Sequence, residues 1–182
     1  DAAEFIERYG KKDFILYAGR IEPRKNQLNF IRAMKGTGRT VVFAGEPVSD
    51  YTDYYEQCRK EASENTFFIG RVEHESTLLS SAYAASGIFA LTSWFETPGL
   101  AALEAGLSGS KVVITEEGST REYFGDMAFY AKPEDIFSIR ASVDKAYFSD
   151  RTVELKEHIL KNFTWEKVAE KTAEAYRRVI GK

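Results

Sequence analysis

Short apolar runs rich in β-branched and aromatic residues alternate, through the front of the chain, with segments whose apolar positions recur at helical spacing. The runs Phe14–Ala18, Thr40–Ala44, Thr66–Ile69, Gly87–Leu91, Lys111–Thr115 and Ala128–Tyr130 predict strands. The segments Gln27–Lys35, Asp50–Ala62, Ser76–Ser86, Pro98–Leu107 and Ser119–Phe124 predict helices. Strand and helix in strict alternation is the signature of βαβ units feeding a parallel sheet. The helix over 50–62 shows the logic: Tyr51, Tyr54, Tyr55, Cys58 and Ala62 fall on one face, and Asp50 stands where an N-cap belongs. After Pro133 the pattern is helical only, over Asp135–Phe148, Arg151–Lys161 and Thr164–Ile180, the last with Trp165, Val168, Ala169, Thr172 and Tyr176 on one stripe. No repeat, Gly/Ser or Pro-rich linker or charge block divides the chain. The expectation is a single domain over residues 1–182: a doubly wound α/β parallel sheet of about six strands, helices on both faces, closed by a C-terminal helical tail.

Composition narrows the function classes. With 43% hydrophobic and 29% charged residues in 182, the chain has the means to bury a core, which excludes disorder and fibre. Twenty-five Lys and Arg against 28 Asp and Glu leave a net charge of -3, so no global basic field draws nucleic acid and any anion site must be local. The single cysteine, Cys58, has no partner for an internal disulfide, and two histidines, His74 and His158, are too few for a usual zinc set. No metal is expected, and a reducing, cytoplasmic compartment is. No apolar stretch approaches the roughly 20 residues that span a bilayer, and Asp1–Arg8 carries acids where a signal peptide carries basic and then apolar residues. The absent initiator Met and the helical text from Ala2 to Ile6 read as the start of a fragment whose upstream part has been cut away.

In a doubly wound sheet, ligands bind beyond the carboxyl ends of the strands, where helix N-termini present unpaired N–H groups. The unusual residues fall there. Gly19-Arg20-Ile21-Glu22-Pro23-Arg24-Lys25-Asn26 follows the first run, Gly45-Glu46-Pro47 the second and Gly70-Arg71-Val72 the third. Thr92 to Gly99 follows the fourth, and Glu116-Glu117-Gly118-Ser119-Thr120 the fifth. Any one such loop is explained by the Gly and polar caps that βα turns need; five in succession are not. Arg20 and Lys25 beside a helix start suit a diphosphate, with Asn26 placed to cap, although solvated surface charge explains them equally well. Glu96 and Glu104 would repel phosphate. They make sense if their oxygens accept from sugar hydroxyls while the amides of Gly99 and Leu100, next to Pro98, meet the phosphate. Glu96 also reads as a complement to the helix dipole. Glu104, among Ala101, Ala102, Leu103 and Ala105, reads as a buried carboxylate in need of a partner.

Several chemistries are closed off. There is no G-x-x-x-x-G-K-[ST] loop, and Gly36-Thr37-Gly38 precedes a strand instead of opening a helix, which is the wrong context for a dinucleotide fingerprint. No G-x-S-x-G elbow is present, and neither histidine has an evident Ser or Cys partner. His158 reads as a surface residue; His74 sits in a turn beside the third loop, its role open. Trp94 and Phe95 fit either core packing or stacking on a sugar ring. The Asn162-Phe163-Thr164 sequon is disregarded, since nothing points to secretion.

Arg20 with Lys25 after the first strand, Gly70-Arg71-Val72 after the third, Glu96 and Glu104 in Phe95 to Gly106, and the closing Phe163-Thr164-Trp165 together resemble the C-terminal domain of retaining GT-B glycosyltransferases of family four. The match runs from about Phe14 to the last helix. The resemblance implies a Rossmann-like half of a GT-B fold that binds a nucleoside-diphosphate sugar, UDP- or GDP-linked, without cofactor or metal. It also implies an N-terminal, acceptor-binding domain absent from this chain, retention at the anomeric carbon of a transferred hexose, and little activity for the fragment alone. Any membrane contact would be peripheral and through the missing domain. On this resemblance Arg20 and Lys25 would hold the diphosphate, Glu96 the donor hexose and Glu104 the ribose. The amides of Gly99 and Leu100 would meet the phosphates, and the backbone at Arg71 and Val72 the base. Asn26 stands where a glycine often follows the lysine, and Thr97-Pro98 where an aromatic is common, which leaves the hexose open. Acceptor, base and pathway stay open as well. The alternatives are another GT-B enzyme, such as a sugar-nucleotide epimerase, and a non-catalytic α/β module binding a protein through the Tyr-rich or last helix. Because the C-terminal segment of a GT-B enzyme returns to the N-terminal domain, the stripe with Trp165, Val168 and Tyr176 is expected to be left partly uncovered and prone to self-association.

Overall fold

The computed structural model describes residues 1–150 and 153–181. Six strands, β1 (Ile15–Ala18), β2 (Val41–Ala44), β3 (Thr66–Phe68), β4 (Ile88–Leu91), β5 (Lys111–Thr115) and β6 (Phe129–Ala131), form one sheet in the order β3-β2-β1-β4-β5-β6. Every neighbouring pair is parallel. The central strands are buried on both faces, which is why they read as unbroken apolar runs such as Val41-Val42-Phe43-Ala44 instead of alternating. Between the strands lie α2 (Gln27–Met34), α3 (Thr52–Glu61), α4 (Thr77–Ala85), α5 (Leu100–Leu107) and α6 (Thr120–Phe124), preceded by α1 (Ala3–Tyr9). The tail is α7 (Ile136–Phe148), α8 (Glu154–Asn162) and α9 (Trp165–Ile180). The expected start of the second tail helix at Arg151 lies outside the described residues.

Packing follows from amphipathic faces. α2 packs on α3 and α7, while α1 packs on α4 and α5 on α8. The expected face of α3 is only partly used: Cys58 is buried and Tyr54 half-buried, but Tyr51 stays exposed. Asp50 does not cap this helix. A 3-10 turn over Ser49–Tyr51 precedes it, and the Asp50 carboxylate accepts from Ser49 Oγ at 3.1 Å. α5 likewise begins two residues later than its pattern indicates, because Gly99 turns into the left-handed region at φ 63° and leaves Pro98 outside the helix. α9 buries none of its residues, and Trp165, Tyr176, Val179 and Ile180 are exposed.

The strand order reverses between β1 and β4, so the crevice above those two strands is the topological switch point. The parallel ladder does not stop at the strand ends. Gly19 N donates to Ala44 O (2.9 Å), Ile21 N to Glu46 O (2.9 Å) and Gly45 N to Gly70 O (2.8 Å). These bonds draw the loops after β1, β2 and β3 into one floor. The approach is so close that a Cβ on Gly45 would lie 1.9 Å from Gly19 O. Gly45→Ala is therefore expected to cost about 3 kcal/mol or more, against about 1–2 kcal/mol for Gly109→Ala, whose added methyl meets nothing within 4 Å and whose cost is the backbone strain at φ 92° alone. Chemical denaturation of the two variants checks this; equal losses would refute the close-approach account.

Candidate functional site

The site is assembled by a seam of hydrogen bonds between the loops after β1 and β4. Tyr17, on β1, is packed edge-on against Phe30 and tilted against Phe43, the three rings forming one cluster. Its hydroxyl donates to Lys25 O and accepts from Thr92 N at 3.1 Å. Burial pushes ionisation of this phenol far above its usual range, so it stays a neutral donor. Asn26 occupies the left-handed region (φ 60°) and its buried side-chain amide donates to Thr92 O (2.9 Å) and Pro133 O (2.7 Å). The expected capping role thus gives way to a bridge: Asn26 precedes α2 but makes no side-chain cap bond to it. Trp94 N donates to Arg24 O at 3.0 Å. The seam brings Lys25 Nζ to 2.6 Å from Glu96 Oε1, with Arg24 Nη1 at 3.8 Å, and the two paired side chains are only 16% and 9% exposed. Glu96 is held by this lysine, not by a helix dipole.

Beside the seam, a cleft of about 660 Å³ opens over the carboxyl ends of β1 and β2. Among the residues expected at the site, Arg20, Arg71, Val72, Leu100 and Glu104 line it. Arg20 pairs with Glu22 at 3.4 Å and Arg71 with Glu73 at 3.0 Å, yet both guanidinium arms are largely exposed. The backbone beneath Arg20 is firmer than its side chain. Gln27 Nε2, wholly buried, donates to Arg20 O at 2.8 Å, and Tyr54 supports that amide from α3. At the far wall, α5 points its first turn at the cleft. The Gly99 carbonyl accepts from Ala102 N (2.8 Å) and Leu103 N (3.2 Å), and first-turn amides such as those of Leu100 and Ala101 have no helical acceptor.

Glu104 lies in the second turn of α5, and its surroundings differ from the apolar burial expected from its neighbours. The apolar residues Ala102, Leu103 and Ala105 face the core, which turns Glu104 outward to the cleft wall. Its side chain is 36% exposed; Oε2 accepts from the Tyr83 hydroxyl at 3.0 Å, and Oε1 lies 2.8 Å from His74 Nε2. Burial, and then the neighbouring carboxylate, raise the Tyr83 phenol well above its usual range. The hydrogen bond to Glu104, and then its charge, raise His74 above an ordinary histidine. His74 is a site residue whose role the sequence left open; its place just past Gly70-Arg71-Val72, at a third strand end, was the available signal.

Other expected residues fall elsewhere. Lys25, Glu96 and Gly99 do not line the cleft. Pro98 lines a neighbouring apolar groove of about 520 Å³ with Leu103, Tyr123, Phe163, Trp165 and Val168, which shares Leu100 and Glu104 with the cleft. Trp94 and Phe95 are exposed, which excludes core packing for both. His158 is half-buried instead of superficial, its Nε2 3.0 Å from Tyr123 O and its ring edge-on to Phe163, because α8 packs down on α5. Among the described residues no group of three or more His, Cys, Asp or Glu side chains is placed to hold a metal ion. Among the described residues no helix is long and apolar enough to cross a membrane.

Because Glu96 is buried with Lys25 as its nearest cation, Lys25→Ala leaves this internal carboxylate only the longer contact to the half-exposed Arg24 at 3.8 Å. It is expected to destabilise the fold by about 3 kcal/mol, and Lys25→Ala combined with Glu96→Ala by clearly less than the sum of the two single losses. Thermal denaturation of the three variants checks this; additive losses would show that the pair does not couple.

Comparison with known proteins bears on this geometry. Residues 2–163 match the family model for glycosyl transferases group 1. The chain is 29% identical over 176 residues to a glycogen synthase of Mycobacterium tuberculosis, covering 89% of this chain and 42% of that protein. It therefore spans less than half the length of that relative. In fold it is similar to the sucrose-phosphate synthase of Thermosynechococcus elongatus, with a TM-score of 0.81 at 22% identity over 98% of this chain and 49% of that one. It is similar too to the Anabaena protein HepE, solved in complex with UDP and glucose, with a TM-score of 0.77 at 17% identity over 97% of this chain and 52% of that one.

Proposed function

The chain belongs to the glycosyl transferases group 1 family, and from that premise we propose that it is the half of a two-domain glycosyltransferase that binds a nucleoside-diphosphate sugar. The observation that carries this reading is the composition of the cleft. Its lining brings together the cations Arg20 and Arg71, the free first-turn amides of α5, a carboxylate one turn further along that helix held by two donors, and apolar side chains such as Pro47, Val48 and Val72.

A nucleoside diphosphate has the complementary order of parts. Its phosphates, carrying two to three negative charges, fit between Arg20, Arg71 and the first turn of α5. Its ribose presents two adjacent hydroxyls, which donate to Glu104. That carboxylate has lone pairs beyond those used by Tyr83 and His74. The base lies against Pro47, Val48 and Val72. The hexose then points toward the seam, where Glu96 accepts from sugar hydroxyls. As the bond to the anomeric carbon breaks, negative charge collects on the departing diphosphate. Lys25 stabilises it without reorganising, since Glu96 and the backbone bonds of the seam already hold the lysine in place, and the exposed Arg20 arm swings onto it. Retention at the anomeric carbon, a hexose as the transferred group, and an acceptor bound by a second domain complete the proposal. The share of longer relatives that this chain covers supports the last of these.

Calorimetric titration with UDP, GDP, ADP and UDP-glucose, without added metal, tests the reading. One nucleoside diphosphate is expected to bind, and Glu104→Ala to weaken it by about 2 kcal/mol, or some thirtyfold. Binding of none of them, or binding indifferent to Glu104→Ala, would refute the donor role and favour a protein-interaction module.

A further inference from the structure

Glu104 is the only carboxylate lining the cleft with a histidine at hydrogen-bonding distance among the described residues. The contact joins separate elements: His74 comes from the loop after β3, Glu104 from α5, and Tyr83, on the other carboxylate oxygen, from α4. Two donors thus fix both oxygens of one carboxylate, and they are unlike. The Tyr83 hydroxyl is half-buried or deeper and neutral at any ordinary pH, so it is a permanent anchor. The His74 ring is 76% exposed and lines the cleft, so its charge changes with the solution.

We propose that His74 is a positioning residue for the nucleotide, which orients Glu104 toward the ribose and, when protonated, supplies a positive charge that tightens the cleft's hold on the diphosphate. The inference rests on the donor-binding reading above. With His74 neutral, Glu104 adds a full negative charge to the wall that an anionic ligand must approach. With His74 protonated, the pair is neutral as a whole and that repulsion is removed. The charged groups around the imidazole are few. Glu104 faces it from α5 and Tyr83 stands beyond on α4, while Arg71, Glu73 and Glu75 share its own loop. Arg20 and Glu46 line the cleft from the loops after β1 and β2. Arg71 is paired with Glu73, so Glu104 is the principal determinant of the imidazole's charge.

The sign follows from linkage. Glu104 favours the protonated ring, so its charge persists above the pH at which a free histidine loses it, and an arriving diphosphate favours that form further. Binding takes up a proton, and affinity falls as pH rises through the His74 titration. The test is titration with whichever of UDP, GDP and ADP binds, at pH 6 and pH 8.5, for the wild type, His74→Gln and His74→Arg. The terminal phosphate's own ionisation acts on all three alike, so the comparison between variants isolates the imidazole. Relative to His74→Gln, the wild type is expected to lose about two- to fivefold in affinity between the two pH values. His74→Arg should keep the stronger binding at both, and the corresponding nucleoside, which lacks the phosphates, should show no such loss. Parallel behaviour of the wild type and His74→Gln, or an equal loss with the nucleoside, overturns the proposal while leaving the donor site standing. Binding by none of the proteins at either pH overturns the donor reading, and this inference with it.

Discussion

The buried hydroxyl of Tyr17 is the point on which the site depends. It reaches from β1 past the strand end to the Lys25 carbonyl and accepts from the Thr92 amide, so one side chain joins the loops on the two sides of the switch point. Asn26 adds a second tie to Thr92 and a third to Pro133 at the start of the helical tail. Both groups are sealed in the core, where an unmade hydrogen bond costs its full desolvation penalty. The loops are consequently less free to move independently than exposed βα turns usually are. Lys25 and Glu96 meet at 2.6 Å because the seam places their backbones, not because two long side chains find each other in solvent.

Charge is distributed along the crevice in a graded way. Lys25 is the enclosed cation, paired and nearly dry, whereas Arg20 and Arg71 are exposed and weakly paired, free to follow an incoming anion. The acids are graded similarly. Glu96 is buried against its lysine, while Glu104 keeps about a third of its side chain in solvent and two polar partners on its carboxylate. An arrangement with one fixed and one adaptable member of each sign suits a ligand that carries phosphate at its middle and hydroxyls toward both ends. It also places local cations in a chain whose net charge is -3.

Much of this was legible in the residues. The strands Val41–Ala44, Ile88–Leu91 and Lys111–Thr115 announce themselves as apolar runs because strands covered on both faces have no polar side to show. The glycines and charges at five strand ends marked the carboxyl edge of the sheet, because a parallel sheet puts all its βα loops on one side. Less legible were the residues whose meaning depends on a distant partner. Asn26 reads as a cap by position and is a bridge by geometry; Asp50 reads as a cap and sits inside a 3-10 turn. Pro98 stands two positions before the cleft-facing helix in sequence, yet it lines the adjoining apolar groove with α8 and α9 and not the cleft.

The sequence by itself determined the fold class, the order of its elements, the loops that would gather at the binding edge and the two glutamates among them. Periodicity, turn chemistry and a motif spacing within one segment are local properties, and a local property survives without coordinates. Only the tertiary structure decided that Glu96 answers to Lys25, that Glu104 shares its oxygens between Tyr83 and His74, and that Gly45 has no room for a side chain. Each of these joins residues far apart in the chain, and the distance between them is set by how strands and helices pack, which no single segment encodes.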